Sequence, residues 1–251
     1  MESWSDQGFI LSVRPHGEGG AIVGLLTEKH GRHAGYLHGA QSSKKRGLLE
    51  AGTLVSVEWK SRVSDQLGTL TMEQAAGLPH GVLDDPLKLG ALLSACSLCD
   101  AALPEREGHA GLFHGFKTIM EMMDGEIWMA AYIFWEISLL KELGFGLDLT
   151  KCAAGGDVTQ LAYVSPKSGR AVSLHSAGPY KERLLELPEF LKPSGGSYDP
   201  EEIYKGLRMT GHFLEHWVFA HHTKGVPEAR LRFEARLEKS LSDSMQAVSG
   251  L

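Results

Sequence analysis

The sequence predicts an α+β protein: an N-terminal OB-fold β-barrel followed by a mainly α-helical C-terminal domain with a small β-hairpin insertion. Three observations lead there. Apolar and polar residues alternate in short runs through Glu73, apolar spacing turns helical from Asp85, and two short apolar runs flank Ser165-Pro166-Lys167-Ser168-Gly169-Arg170.

In the first region Phe9, Leu11 and Val13 alternate with polar or smaller residues, and an apolar run at 21–27 follows the turn-prone stretch from Pro15 to Gly20. A turn at Lys29-His30-Gly31 precedes a strand in which Arg32, Ala34, Tyr36 and His38 share one face and His33, Gly35 and Leu37 the other. Val55, Val57 and Trp59 form a fourth alternation, and Leu70 and Met72 a fifth. Five strands in about 75 residues with no intervening helix suit a small closed or partly open barrel. Residues 1–80 are therefore expected to form this domain and 81–251 the helical one. Asp85-Pro86 and Asp199-Pro200 each pair a capping side chain with proline at the first helical position. Residues 126–143 are apolar almost all round, as in a buried helix, and a last helix spans 228–241. The runs 161–164 and 171–174 form the hairpin.

The chain has 251 residues and a formal net charge of −6. Of its 25 Lys and Arg and 31 Asp and Glu, eight of each lie in residues 1–80, so the acidic surplus belongs to the second region. The longest apolar stretch, 127–135, is far below the roughly 20 residues that span a bilayer. The N-terminus has none of the basic start and apolar stretch of a secretory signal, so a cytoplasmic protein is expected. Cys96, Cys99 and Cys152 make no paired framework.

Several motifs carry little chemistry. Gly17 to Gly20 would place the third glycine of a phosphate loop on Ile22, and a strand follows, so it is a turn. Cys96-Ser97-Leu98-Cys99 lies in a leucine pattern and suits small, core-facing or half-buried thiols. His212-Phe213-Leu214-Glu215-His216 is a literal H-x-x-E-H, the pattern of some zinc peptidases. A zinc-dependent hydrolase on His212, Glu215 and His216 is the alternative from a second class. It also needs a third ligand and a cleft, and a chance pairing on a polar helix face is the reading adopted. No nucleophile or paired carboxylates stand in a catalytic context, so no enzyme is expected.

The positive signal is Gln41-Ser42-Ser43-Lys44-Lys45-Arg46-Gly47, three adjacent cations among small residues. Loops between OB-fold strands frame a nucleic-acid groove, so Lys44, Lys45 and Arg46, with Arg14, Arg32, Lys60 and Arg62 on the barrel, form the expected phosphate track. Tyr36 and Trp59 could stack on bases, with filling of the barrel the reading adopted for Trp59. Arg230, Arg232 and Arg236 could receive an acidic protein tail, or pair with Glu228, Glu234 and Glu238.

The segment Gly8-Phe9-Ile10-Leu11-Ser12-Val13-Arg14-Pro15-His16-Gly17-Glu18, then Leu25-Leu26-Thr27-Glu28-Lys29-His30-Gly31-Arg32, closely resembles the opening of RecO proteins. Leu147 to Thr150 with Cys152, and Ala162 to Ser173, resemble the family's central segment, so the likeness covers nearly the whole chain in order. The resemblance implies a non-enzymatic recombination mediator in DNA repair that binds and anneals single- and double-stranded DNA. It implies RecR and the acidic tail of single-strand-binding protein as partners, and a functional link to loading RecA. Many relatives carry a four-cysteine zinc site around 147–176. Here only Cys152 is a cysteine: its expected mate is Gly155, and the second pair is replaced by Ser173, His175 and Ser176. A tetrahedral site needs paired thiolates, so neither structural zinc nor any cofactor is expected. A protein-docking scaffold without DNA affinity is the third reading.

Overall fold

The computed structural model describes residues 2–42, 45, 47–63 and 66–249. Two compact units divide the chain, one of Met1–Asp124 with Pro227–Arg230, the other of Gly125–Val226 with Leu231–Leu251.

The first unit is built on strands β1 (Glu2–His16), β2 (Gly20–Thr27), β3 (Gly31–Leu37), β4 (Leu54–Ser61) and β5 (Thr69–Ala76), closed in the order β1-β2-β3-β5-β4 with β4 returning to β1. β1 is much longer than the alternation at Phe9–Val13 suggests, because it serves two neighbours. Residues from Glu2 to Phe9 pair with β4, and residues from Gly8 to His16 with β2, across a register shift between Ile10 and Ser12. Ile10, Val23, Leu25, Leu37, Val55, Val57, Trp59, Leu70 and Met72 fill the interior. Trp59 is 1% exposed and donates its indole N–H to the Leu67 carbonyl at 2.9 Å, so it is a core residue as the alternation predicts.

Helices α1 (Pro86–Ala102) and α2 (Ala110–Met122) belong to the same compact unit. The Asp85 carboxylate caps α1 by accepting from the N–H groups of Leu87 and Lys88. Phe9, on the outer side of β1, packs its ring against Phe113 and Phe116 of α2, with centroids 5.2 and 4.6 Å away. The packing unit thus runs past Asp85, where the hydrophobic period changes. Cys96 and Cys99 are fully inside. Burial and then Asp100 push the Cys96 thiol up to about 12, and burial raises Cys99 as well.

In the second unit α3 (Trp128–Glu142) packs on α5 (Pro200–Phe213), where Gly206 lets Ile133 approach. Glu136 is wholly buried and accepts from the Tyr132 hydroxyl at 2.7 Å and from the Thr210 hydroxyl. Those bonds satisfy a carboxylate whose burial would otherwise be costly. Strands β6 (Leu161–Val164), β7 (Ala171–Ser173) and β8 (Leu185–Glu186) form an antiparallel sheet in the order β7-β6-β8. Leu174, expected in the second hairpin strand, instead opens the short helix α4 (Leu174–Ala177), since the Ser173 hydroxyl caps it through the Ser176 N–H. The last helix, α6 (Glu228–Ser249), is longer than the sequence pattern indicates. Among the described residues no helix is long and apolar enough to cross a membrane.

Candidate functional site

Strand register brings part of the expected cation set onto one line. Arg14 pairs with Ile22, Ile22 with Tyr36, Tyr36 with Thr69, and Thr69 with Lys60. Paired residues point to the same side of a sheet, and this row points outward: Arg14, Thr69 and Lys60 are exposed and Ile22 and Tyr36 half-buried. With strands about 4.8 Å apart, Tyr36 stands roughly 10 Å from each of the two cations. Continuing around the barrel, Lys60 pairs with Ser3, so the walk returns to β1 far from Arg14, the stagger that closure of tilted strands requires.

Tyr36 is the centre of this row. Its ring makes edge-on contacts with His16, at 6.1 Å, and His38, at 4.6 Å, and it lies over Gly20 so closely that a Cβ there would come within 1.9 Å of the hydroxyl. Only glycine leaves room for the ring. Lys45 donates its ammonium to the His38 carbonyl at 2.7 Å, which brings this cation to the same place. Lys44 and Arg46 lie outside the described residues. Arg62 is exposed at the end of β4, in the β4–β5 connection. OB-folds bind oligonucleotides with strands β2 and β3 and the β1–β2 and β4–β5 loops; Ile22, Tyr36 and Arg62 occupy such positions, and His16 ends β1 where the first of those loops begins.

Arg32 does not join the row. It pairs with Leu26, which pairs with Phe9, and this outer strip is covered by the helices. Its guanidinium donates to the Leu103 carbonyl at 2.7 Å and faces Asp100 at 3.7 Å and Glu105 at 3.3 Å. Those partners satisfy its charge within the unit. A third strip is acidic: Asp6, Glu28, Glu58 and Glu73, with one lysine, Lys29, line an open groove of about 500 Å³ over β1, β4 and β5. Lys60 borders it and pairs with Glu58 at 2.9 Å, so it is the weakest cation of the row.

The expected protein-binding arginines separate. Arg230 is 1% exposed, whereas Arg232 and Arg236 are on the surface of α6. A helix pattern read by type alone cannot show that one of three arginines at neighbouring positions turns inward.

Around Cys152 the residues present do not fit zinc. The sulfur lies 3.6 Å from the Ser173 hydroxyl and 3.8 Å from that of Ser176, and accepts the Ser173 N–H at 3.3 Å. The two hydroxyls also bond each other at 2.9 Å, and a Cβ on Gly156 would strike both. One sulfur and two mutually bonded hydroxyls are a poor donor set for a closed tetrahedral site. Burial raises the thiol, but hydrogen bonds from Ser173 and from the N–H groups of Ala154 and Gly156 outweigh it and bring Cys152 down to about 6.

His212 and His216 stack, with ring centroids 4.1 Å apart. Among the described residues no three His, Cys, Asp or Glu side chains are grouped to hold a metal, so the hydrolase alternative lacks its third ligand there.

Comparison with known proteins covers both regions. The family described as Recombination protein O N terminal matches residues 1–77, and that described as Recombination protein O C terminal matches residues 83–237. A DNA repair protein RecO of Rhodospirillum centenum is 50% identical over 245 residues, 96% of this chain and 97% of the relative. One from Rhodospirillum rubrum is 44% identical over 95% of this chain and 98% of its own length, and one from Caulobacter vibrioides is 44% identical over 94% and 98%. With both halves matched in order and relatives covered almost end to end, the chain belongs to the recombination protein O family.

Proposed function

We propose that this chain works in DNA repair as a non-catalytic mediator that binds single- and double-stranded DNA through its barrel and promotes annealing. The observation that carries the reading is the outward row Arg14–Ile22–Tyr36–Thr69–Lys60, in which an aromatic ring on β3, one of the strands OB-folds use for nucleic acid, is flanked by a cation of β1 and a cation of β4. Phosphates would meet Arg14, Lys45 and Arg62 first, together with Lys44 and Arg46, while a base stacks on Tyr36. Contacts of these kinds are indifferent to sequence, as annealing of arbitrary strands demands. The acidic groove over β4 and β5 repels phosphate and so confines the strand to one side of the barrel.

The partners in this reading are RecR, the acidic tail of single-strand-binding protein, and RecA as the protein loaded. For the tail, Arg232 and Arg236 are the exposed cations of the set read from sequence, and reversing both charges should weaken tail-peptide binding. Unchanged affinity would move that site elsewhere.

Fluorescence anisotropy with labelled single-stranded DNA, repeated across a salt series, tests the central claim. Log affinity should fall linearly with log salt, and replacing Lys44, Lys45 and Arg46 with Ala should flatten the slope by roughly two units, at about 0.7 per phosphate contact. Absence of salt-dependent binding by the full chain would favour a docking scaffold instead.

A further inference from the structure

We propose that His212 and His216 form a surface chelate for a borderline divalent transition metal such as Zn²⁺, Ni²⁺ or Cu²⁺. It is an exchangeable two-imidazole site with no hydrolytic role, separate from the DNA-binding row and from the Cys152 segment.

The two residues stand one turn apart at the end of α5, where the helix widens into a π turn (Leu214–Val218) closed by the Phe219 N–H donating to the Leu214 carbonyl at 2.8 Å. Such turns recur at functional positions because they displace side chains from the regular helical register. Here the rings stack at 4.1 Å with 21° between their planes. Their side chains therefore leave the helix together, and rotation of the His212 ring about its soft torsion can turn its outer nitrogen toward an ion held on His216.

The hydrogen bonding sets the donor atom. His216 Nδ1 lies 2.9 Å from the His212 carbonyl oxygen. A carbonyl only accepts, so Nδ1 carries the proton and a neutral His216 ring keeps its lone pair on Nε2. This is the arrangement found behind metal-bound histidines, whose second nitrogen is anchored by a backbone carbonyl or carboxylate. The His216 side chain is 54% exposed, so an ion and its waters can reach Nε2.

The exposed Glu215 carboxylate lies 3.8 Å from His216 Nδ1 and adds negative charge beside the pair. Because no third protein ligand is grouped there among the described residues, water completes the coordination. Two imidazoles select zinc, nickel or copper over magnesium and calcium, which require oxygen ligands.

The test is calorimetric titration of the chelator-washed full chain with Zn²⁺ and Ni²⁺ in excess Mg²⁺, alongside His212→Ala, His216→Ala and a His221→Ala/His222→Ala control. One equivalent should bind, and either single substitution should weaken it by more than about tenfold, since losing even an outer-shell partner of a ligand costs 10- to 100-fold. The control variant should bind as the unaltered chain does, and circular dichroism should show all variants folded. Absence of binding, undiminished binding by His216→Ala, or loss in the control would overturn the assignment. So would a Co²⁺ complex showing thiolate-to-metal charge transfer, which would place the ion on a cysteine.

Discussion

The strip Phe9–Leu26–Arg32 and the strip Arg14–Ile22–Tyr36 run across the same three strands and differ only in position along them. Over the first, helix α2 supplies Phe113 and Phe116, and the segment from Asp100 to Glu105 supplies carbonyl and carboxylate partners for Arg32. Over the second, no carbonyl or carboxylate among the described residues holds the Arg14 guanidinium in the same way, and the Tyr36 ring meets two histidines instead of a helix. An arginine on a barrel strand is thus either part of the scaffold or available to a partner, and what lies above the strand decides which. Sequence position alone makes Arg14 and Arg32 look equivalent.

The comparison breaks if the covered strip does not hold the unit together. Phe9→Ala should cost about 3 to 5 kcal/mol in urea unfolding, because the aromatic ring is packed between two others and leaves a cavity. A loss below about 1 kcal/mol would mean that the helices are not fastened there. On the open strip, Tyr36→Ala should weaken single-stranded DNA binding by about 1 to 3 kcal/mol, whereas Tyr36→Phe keeps the π face and should bind as before. Equal losses in both variants would assign the effect to the hydroxyl and remove the stacking role. A sharper contrast comes from the paired arginines: Arg14→Ala should reduce the salt slope by about 0.7, and Arg32→Ala should leave it unchanged. If Arg32→Ala flattens the slope as much, its ion pairs do not occupy it.

The smallest effect contrasts the thiols. Cys96 of α1 donates to the Ile10 carbonyl and stays protonated, whereas Cys152 is held near 6 by donors around its sulfur. A folded value below the ordinary 9.0 means that the thiolate adds stability, fully above about 9 and progressively less as pH falls toward 6. Melting temperature compared with Cys152→Ser should therefore show an advantage that grows from pH 6 to 9. A flat difference over that range would show that the sulfur is not charged.

The RecO likeness of the opening segment was legible in the residues themselves, and so was the barrel. The alternation at β3 put His33, Gly35 and Leu37 on one face and Arg32, Ala34 and Tyr36 on the other, and the first group is the buried one. The capping signals at Asp85 and Asp199 marked two helix starts, and both side chains make the expected bonds. Trp59 in the core followed from the same period-two reasoning. Less was legible at the site. Tyr36 had an aromatic signal, but nothing local to β1, β3 or β4 says that Arg14, Tyr36 and Lys60 align.

What the sequence determined by itself is whatever depends on short-range periodicity: which face of a strand is apolar, where a helix begins, and which segments share the family's order of residues. Only the tertiary structure decided which polar residues remain available. Arg32 is engaged by partners about seventy residues away, Arg230 is buried although Arg232 and Arg236 are not, and β1 reaches back to Glu2 because β4 offers it a second edge. Each of these outcomes rests on hydrogen bonds and packing between residues distant in the chain. Such pairings are fixed by barrel closure and helix docking, so they leave no periodic trace in the local sequence.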